Sequence, residues 1–236
     1  MKKISIILLF LTVTWLGLDY YALRVQARNQ NLIADAYYGN LERLKEDLED
    51  GADLNFSLYF SDTQRDYTDV TFNALHAAAA SGNEDVINYL LEQKMDINAQ
   101  TPDGWTPLFI AARDGRCEAA KLLIFRGADT NVQTNLGATA LLMAATQPYP
   151  TEEERTELVT YLLENEADPD LATVNNLPVI YYAAVTDRLP VVQLLLEHQA
   201  LVTRETYQKI NAYLQQHPSK TSRKITSLLK KAVTEK

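Results

Sequence analysis

Residues 101–133, TPDGWTPLFIAARDGRCEAAKLLIFRGADTNVQ, read as a turn, a short helix, a tight connection and a second helix closed by Gly127-Ala128-Asp129. Thr106-Pro107 marks the first helix, because proline is tolerated in a first turn where its missing N–H is not needed. Gly115 supplies positive φ for the turn into the second helix, and Gly127 does the same at that helix's end. Two helices this short have too little mutual surface to bury their own apolar positions. A unit of the same shape must therefore stack on each side.

The flanking sequence supplies such units. Aligned on the apolar anchor of the first helix, Leu32, Leu75, Leu108, Leu141 and Ile180 are separated by 43, 33, 33 and 39 residues, a period of 33 with insertions of 10 and 6. A regular gap of this size is the signature of a stacked array. Ala78-Ala79, Ala111-Ala112, Ala144-Ala145 and Ala183-Ala184 let neighbouring first helices approach closely. The second helices repeat an apolar stripe: Val86, Ile87, Leu90 and Leu91, then Leu158, Val159, Leu162 and Leu163, then Val191, Val192, Leu195 and Leu196. In the first unit the same places read Arg43, Leu44, Asp47 and Leu48, half of them charged, as a cap with one neighbour requires. Lys94, Glu166 and Gln199 stand where Gly51 and Gly127 stand in other units. Left-handed backbone there costs on the order of 1 kcal/mol per residue, so those units are expected to be looser. Beyond the fifth unit, Tyr207, Ile210 and Leu214 predict an amphipathic helix ended near His217-Pro218. Ile225, Leu228, Leu229, Ala232 and Val233 predict another, and the two close the exposed end.

The motif residues are Asp103-Gly104-Trp105-Thr106-Pro107-Leu108, Ala111-Ala112, Gly115 and Gly127-Ala128-Asp129 with Asn131. The preceding unit matches through Leu75-His76, Ala78-Ala79, Gly82, Leu90-Leu91 and Asn98. This pattern resembles the ankyrin repeat over roughly residues 30–203, most specifically in the second and third units. The resemblance implies an all-α solenoid of about five helix-turn-helix repeats, 28–55, 68–100, 101–133, 134–172 and 173–203, with a C-terminal helical cap over 204–236. It also implies a non-enzymatic protein–protein interaction module. Partners of this family usually meet the turn tips and the two residues after the paired alanines. Carried onto this sequence, that stripe is Tyr37-Tyr38, Ala80-Ser81, Arg113-Asp114, Thr146-Gln147 and Val185-Thr186. The tips add Asp69, Phe72, Pro102, Asp103, Trp105, Asn135 and Asn175.

The two insertions are where the chain departs from a bare array. Residues 56–67 lengthen the turn between the first two repeats and are expected as a mobile, polar-rich loop beside the concave face. Phe56, Tyr59, Phe60 and Tyr67 in it resemble an interface anchor set, since aromatics supply large contact area at small entropy cost. Alternatively Phe56 and Tyr59 fold back on the first repeat. The second insertion, around Gln147-Pro148-Tyr149-Pro150-Thr151, has a plainer account, because Thr151 and Glu154 fit a capping box and acids in a first turn suit the helix dipole. The expected partner contacts are Tyr37, Tyr38, Tyr59, Tyr67, Phe72, Asp103, Trp105, Arg113, Asp114 and Gln147. Trp105 leads them as an exposed aromatic on a rigid turn, against packing on a neighbouring turn.

Catalytic and cofactor constellations are not expected. His76 takes the place of the family's structural histidine, while Phe109, Leu142 and Tyr181 stand there in later repeats. Cys117 falls at a buried apolar position, so an inert thiol is expected. The glycines are spaced as helix punctuation, not as a phosphate loop. Asp53, Asp96, Asp103 and Asp129 recur at repeat positions, which points to turn chemistry. Three histidines and one cysteine, widely spaced, make no metal-ligand cluster.

Lys2 and Lys3 precede an apolar run of 15 residues, Ile4 to Leu18. As a helix this run reaches ~22 Å, short of the ~30 Å of bilayer hydrocarbon, which favours a secretory signal over a span. Val25-Gln26-Ala27 places small residues for a cut after Ala27, while Asp19-Tyr20-Tyr21 and Arg24 are unusual there and keep an uncleaved N-terminal anchor open. Residues 1–27 are thus expected as a signal peptide or membrane anchor, and the chain as a periplasmic, monomeric bacterial protein or one anchored in the inner membrane facing the periplasm. Exported bacterial ankyrin proteins, which this chain resembles, act as partners of enzymes such as periplasmic catalases or as immunity proteins. The alternative is a membrane-anchored envelope scaffold. Charge narrows the partner: residues 28–205 carry −17 and residues 206–236 carry +6, which with +2 on residues 1–27 make the −9 of the chain. An array so acidic repels nucleic acid and attracts a basic protein surface.

Overall fold

The computed structural model describes residues 23–62 and 67–233. Residues 1–22, with the apolar run on which the export expectation rests, lie outside them. Helix α1 covers residues 23–38 of the described chain and so runs across the 27/28 boundary. Then come α2 (Leu41–Glu49), β1 (Leu58–Asp62), β2 (Tyr67–Phe72), α3 (Ala74–Ser81), α4 (Glu84–Glu92), α5 (Pro107–Arg113) and α6 (Cys117–Phe125). The chain continues through α7 (Ala140–Thr146), α8 (Glu152–Glu164), α9 (Val179–Val185), α10 (Leu189–Glu197), α11 (Arg204–Gln216) and α12 (Ser222–Ala232).

The helices start where the sequence places them. Thr106 Oγ1 accepts the Phe109 N–H at 3.1 Å with Pro107 in the first turn, and Thr139 Oγ1 accepts the Leu142 N–H at 3.2 Å. Asn73 caps α3, and the His76 ring returns the bond to the Asn73 N–H, closing a capping box. Lys94, Glu166 and Gln199 do adopt φ of 65°, 66° and 63°. Asp187 (63°) stands where Gly82 and Gly115 do, and Asn176 (55°) where Gly104 and Gly137 do.

Stacking forms two rows. First helices pack in the order α3, α5, α7, α9 and second helices in the order α4, α6, α8, α10. The paired alanines of α3, α5, α7 and α9 are completely buried in the first row, and Ile87, Leu123, Leu158 and Val192 in the second. The cap extends both rows: α11 packs on α9, α12 on α10, and the two on each other. A parallel bridge between Val202 and Val233 ties the end of α12 to the segment before α11. The cap therefore takes the place of a sixth helix pair, with Ile210, Ile225 and Leu229 buried beneath it.

The first insertion differs from expectation. It forms an antiparallel β-hairpin, with Leu58 paired to Phe72, Tyr59 to Thr71 and Asp62 to Tyr67, and an irregularity between Phe60 and Asp62. Its Tyr, Phe, Val and Thr residues favour a pleated strand, and antiparallel pairing satisfies backbone groups that a loop would leave to water. Among the described residues the solenoid thus adds a two-stranded sheet to its helices.

Candidate protein-recognition surface

Side chains from one repeat cap the helix ends of the one before. Asn83 Nδ2 donates to the carbonyl of Tyr37 at 2.8 Å, and Arg116 Nε to that of Ala80 at 3.1 Å. The Tyr149 hydroxyl donates to the Ala112 carbonyl. Arg155, buried, donates through Nη1 to the carbonyls of Ala144, Ala145 and Gln147 and through Nε to Glu152 at 3.1 Å, with its guanidinium 5.1 Å from the Tyr149 ring. The second insertion is thus a staple between repeats three and four. Thr151 caps α8 through the Glu154 N–H, which is one half of the expected capping box. Sequence reasoning missed Arg155 and Tyr149 as core groups. Burial pushes the Tyr149 phenol far above its ordinary range.

A second ladder fixes the other edge of the repeats. Asn98 Oδ1 accepts the Asp129 N–H at 2.9 Å, Asn131 Oδ1 the Asp168 N–H at 2.8 Å, and Asp170 Oδ1 the Leu201 N–H at 2.7 Å. Within each turn Asp53, Asp96, Asp129 and Asp168 accept the N–H two residues on, so these carboxylates are turn formers. His76 is structural as well. Its Nε2 lies 3.0 Å from the Ala99 carbonyl and 3.1 Å from that of Trp105, and burial holds its pKa down to about 4. A neutral ring protonated on Nε2, with Nδ1 accepting from the Asn73 N–H, satisfies all three contacts. Cys117 is half-buried, its thiol pushed up to about 11 by burial, and it contacts the Glu154 carbonyl. Among the described residues no group of three or more His, Cys, Asp or Glu side chains is placed to hold a metal ion.

The expected contact residues divide. Tyr38 is 73% exposed and edge-on to the half-buried Tyr37, 5.4 Å between ring centroids. Asp103 is exposed at its turn tip, and Gln147 is half-buried with Nε2 3.9 Å from Met143 Sδ. Phe72 is 0% exposed, not open at a turn tip as expected: it stacks on His76 at 5.7 Å and joins Ala80, Phe109 and Ile110 in a small apolar cluster, so it anchors β2 from inside the fold. Trp105 is half-buried at the edge of this cluster with Tyr37, Ala138 and Met143, not the open aromatic the sequence suggests. Tyr37, Trp105, Arg113 and Asp114 all have intramolecular partners. Tyr59 and Tyr67 sit in the paired strands, and their side chains lie outside the described residues.

What sequence reasoning overlooked is the apolar character of two later tips. Leu136 and Val174 are 69% and 64% exposed, and the Val174 N–H donates to the Leu136 carbonyl at 3.1 Å. Asn135 locks the same row to the previous tip, its backbone N–H on the Asp103 carbonyl at 3.0 Å and its Nδ2 on that of Pro102 at 2.8 Å. Gly104 and Gly137 permit this approach: a Cβ on Gly137 would meet Thr173 Cα at 2.8 Å. A Leu and a Val at tips where the third repeat has Pro102-Asp103 was the available signal. On the second-helix side, a groove of about 780 Å³ runs between α8 and α10, walled by Glu153, Glu157, Glu164 and Glu197 over Tyr161 and Leu194. The acidic charge of the array is therefore partly concentrated away from the tips.

Stacked helix pairs with hydrogen-bonded, projecting turns define a repeat solenoid whose work is binding at its surface. Residues 32–134 and 121–206 match the family model described as Ankyrin repeats (3 copies), and the chain belongs to the ankyrin repeat family. Such repeats are generally protein–protein interaction modules and typically non-catalytic. The chain is 38% identical over 80 residues, 34% of its length, to the potassium channel AKT1 of Arabidopsis thaliana. It is 47% identical over 45 residues, 19% of its length, to protein phosphatase 1 regulatory subunit 12A of Mus musculus. It spans 8% and 4% of these two proteins' lengths.

Proposed function

We propose that this chain is a non-enzymatic binding protein of the bacterial cell envelope, exported on residues 1–27, that holds a partner protein with a basic surface. The observation that carries the reading is the row of tips Asp103, Asn135, Leu136 and Val174, whose backbones are joined across three repeats while Leu136 and Val174 stay open. Exposed apolar side chains on a rigid edge cost little entropy to dock. The −17 of the array steers a cationic partner toward the molecule and disfavours acidic competitors. A relative that is a regulatory subunit of a phosphatase fits a role beside an enzyme, as inhibitor, immunity protein or associated factor. Cross-linking in cells followed by capture from the envelope fraction tests this. The partner should be recovered with the parent chain and lost with Leu136→Asp/Val174→Asp, and equal recovery by both would remove the tips from the site.

A second reading, a scaffold retained at the inner membrane, rests on α1. Val25, Gln26 and Ala27 lie inside this helix, and a scissile bond in a hydrogen-bonded turn must first open. N-terminal sequencing of the protein from cells separates the two. A start at Arg28 excludes the anchor, and an intact terminus excludes the soluble form.

A further inference from the structure

We infer that the groove between α11 and α12 is a binding site for an organic phosphate. The groove measures about 690 Å³ and three cations line it, Lys220, Arg223 and Lys230, all exposed. Residues 206–233 contain no Asp or Glu. Among the described residues the ion pair of the cap is Lys209 with Glu205 at 2.8 Å, which leaves the three groove cations outside it. The nearest acid to the loop before α12 is Asp187, whose carboxylate accepts the hydroxyls of Ser219 and Thr221.

Folding does not account for this arrangement. Ile225 and Leu229 are buried, so the hydrophobic contact of α12 is already made on the face opposite its cations. Lys230, in the last turn, complements the helix dipole, but Arg223 in the first turn and Lys220 just before it oppose the dipole, and the first turn holds no acid. Cations that oppose the dipole and lack a carboxylate partner are explained by an anion from outside. The site is also preorganised, because the Val202–Val233 bridge and the packing of α12 on α10 hold its walls.

The lining chooses the ligand class. Three positive charges with the hydroxyls of Thr226 and Ser227 match a tetrahedral phosphate group, and the Arg223 fork suits its oxygens. A bare ion fills only a fraction of the volume. The remaining wall is Asn211, Gln215, Ser219 and Ser222 with Leu214 and Pro218, mostly polar, so the phosphate carries a polar organic body. Such a group comes from a soluble phosphate ester or from a glycerophospholipid headgroup.

The test uses the full chain in two arms. One is calorimetric titration with glycerol 3-phosphate. The other is cosedimentation with phosphatidylcholine vesicles, with and without phosphatidylglycerol, in which any contribution from residues 1–27 is common to the variants compared. Lys220→Ala/Arg223→Ala/Lys230→Ala is compared with Lys224→Ala/Lys231→Ala, which removes charge from the same helix outside the groove. Helix content by circular dichroism confirms that both variants fold. The groove variant should lose about tenfold or more in affinity and the control variant less than about threefold. Binding of the free ester identifies a soluble source, and binding only to phosphatidylglycerol vesicles identifies the headgroup. No binding in either arm, or equal loss in both variants, overturns the site.

Discussion

The guanidinium of Arg113 lies 4.8 Å from the centroid of the Trp105 ring, which itself meets Phe109 at 5.6 Å. The contact joins the turn of the third repeat to the end of its own first helix. It explains why an indole on a projecting turn is only half open. A partly exposed cation–π contact contributes about 0.5–1 kcal/mol. Arg113→Ala should lower unfolding stability by about that amount and shift the emission of Trp105, read in a Trp15→Phe background. Unchanged emission would mean that the stacking does not persist in solution.

His76 makes stability depend on pH. Its folded pKa of about 4 lies below the ordinary 6.5 because burial disfavours the imidazolium. The neutral ring's contribution is therefore complete above pH 6.5 and is lost as pH falls toward 4, up to about 3 kcal/mol in all. His76→Phe, the residue found at position 109, should cost roughly 1–3 kcal/mol at pH 7 through the unpaired carbonyls of Ala99 and Trp105. Its urea midpoint should nevertheless fall less than the parent's between pH 6.5 and 5. Parallel declines would contradict the assignment.

Arg155 is the most deeply buried charged side chain among the described residues, and Arg155→Met keeps most of its volume while removing every donor. The carbonyls of Ala144, Ala145 and Gln147 would lose their partner, at a cost of about 3 kcal/mol. Hydrogen exchange should show the loss as faster opening of residues 147–165, with the first two repeats unaffected.

Backbone strain gives a prediction in the opposite direction. Glu166 holds φ of 66° without a glycine, so Glu166→Gly should stabilise the fourth repeat by up to about 1 kcal/mol, less the entropy glycine gains on unfolding. Gly137→Ala should destabilise, since its φ is 74° and the new Cβ would press on Thr173 backbone. Thermal unfolding of the two variants checks the signs.

Leu136→Asp/Val174→Asp should leave the unfolding midpoint nearly unchanged, within about 0.5 kcal/mol, because neither side chain is packed. A large loss of stability would show that these tips support the array and would weaken their claim as contacts.

Much of the scaffold was legible because a repeat solenoid is local. Thr106-Pro107, Thr139 and Gly115 each act within a few residues, and a period of 33 brings like positions together whatever lies between. Even the left-handed backbone at Lys94, Glu166 and Gln199 followed from position alone. The recognition surface was legible only in part. Tyr38 and Asp103 lie open as expected, but Phe72 went inward, because β-pairing with Leu58 turns it onto Phe109 and His76.

By itself, then, the sequence determined the number of units, their helix starts, the half-charged first cap and the charge reversal at the end, since each is written in neighbouring residues or in a strict repeat. The tertiary structure alone decided what the insertions became. An insertion of 10 residues reports its length and not its hydrogen-bond partners, so the hairpin emerged only once β1 met β2. Likewise Tyr149, Leu136 and Val174 took their roles from the adjacent repeat, more than thirty residues away, and Arg155 took its role from the helix ends of its own repeat. Packing between units, not the pattern within one, settled which side chains were consumed as staples and which were left to meet a partner.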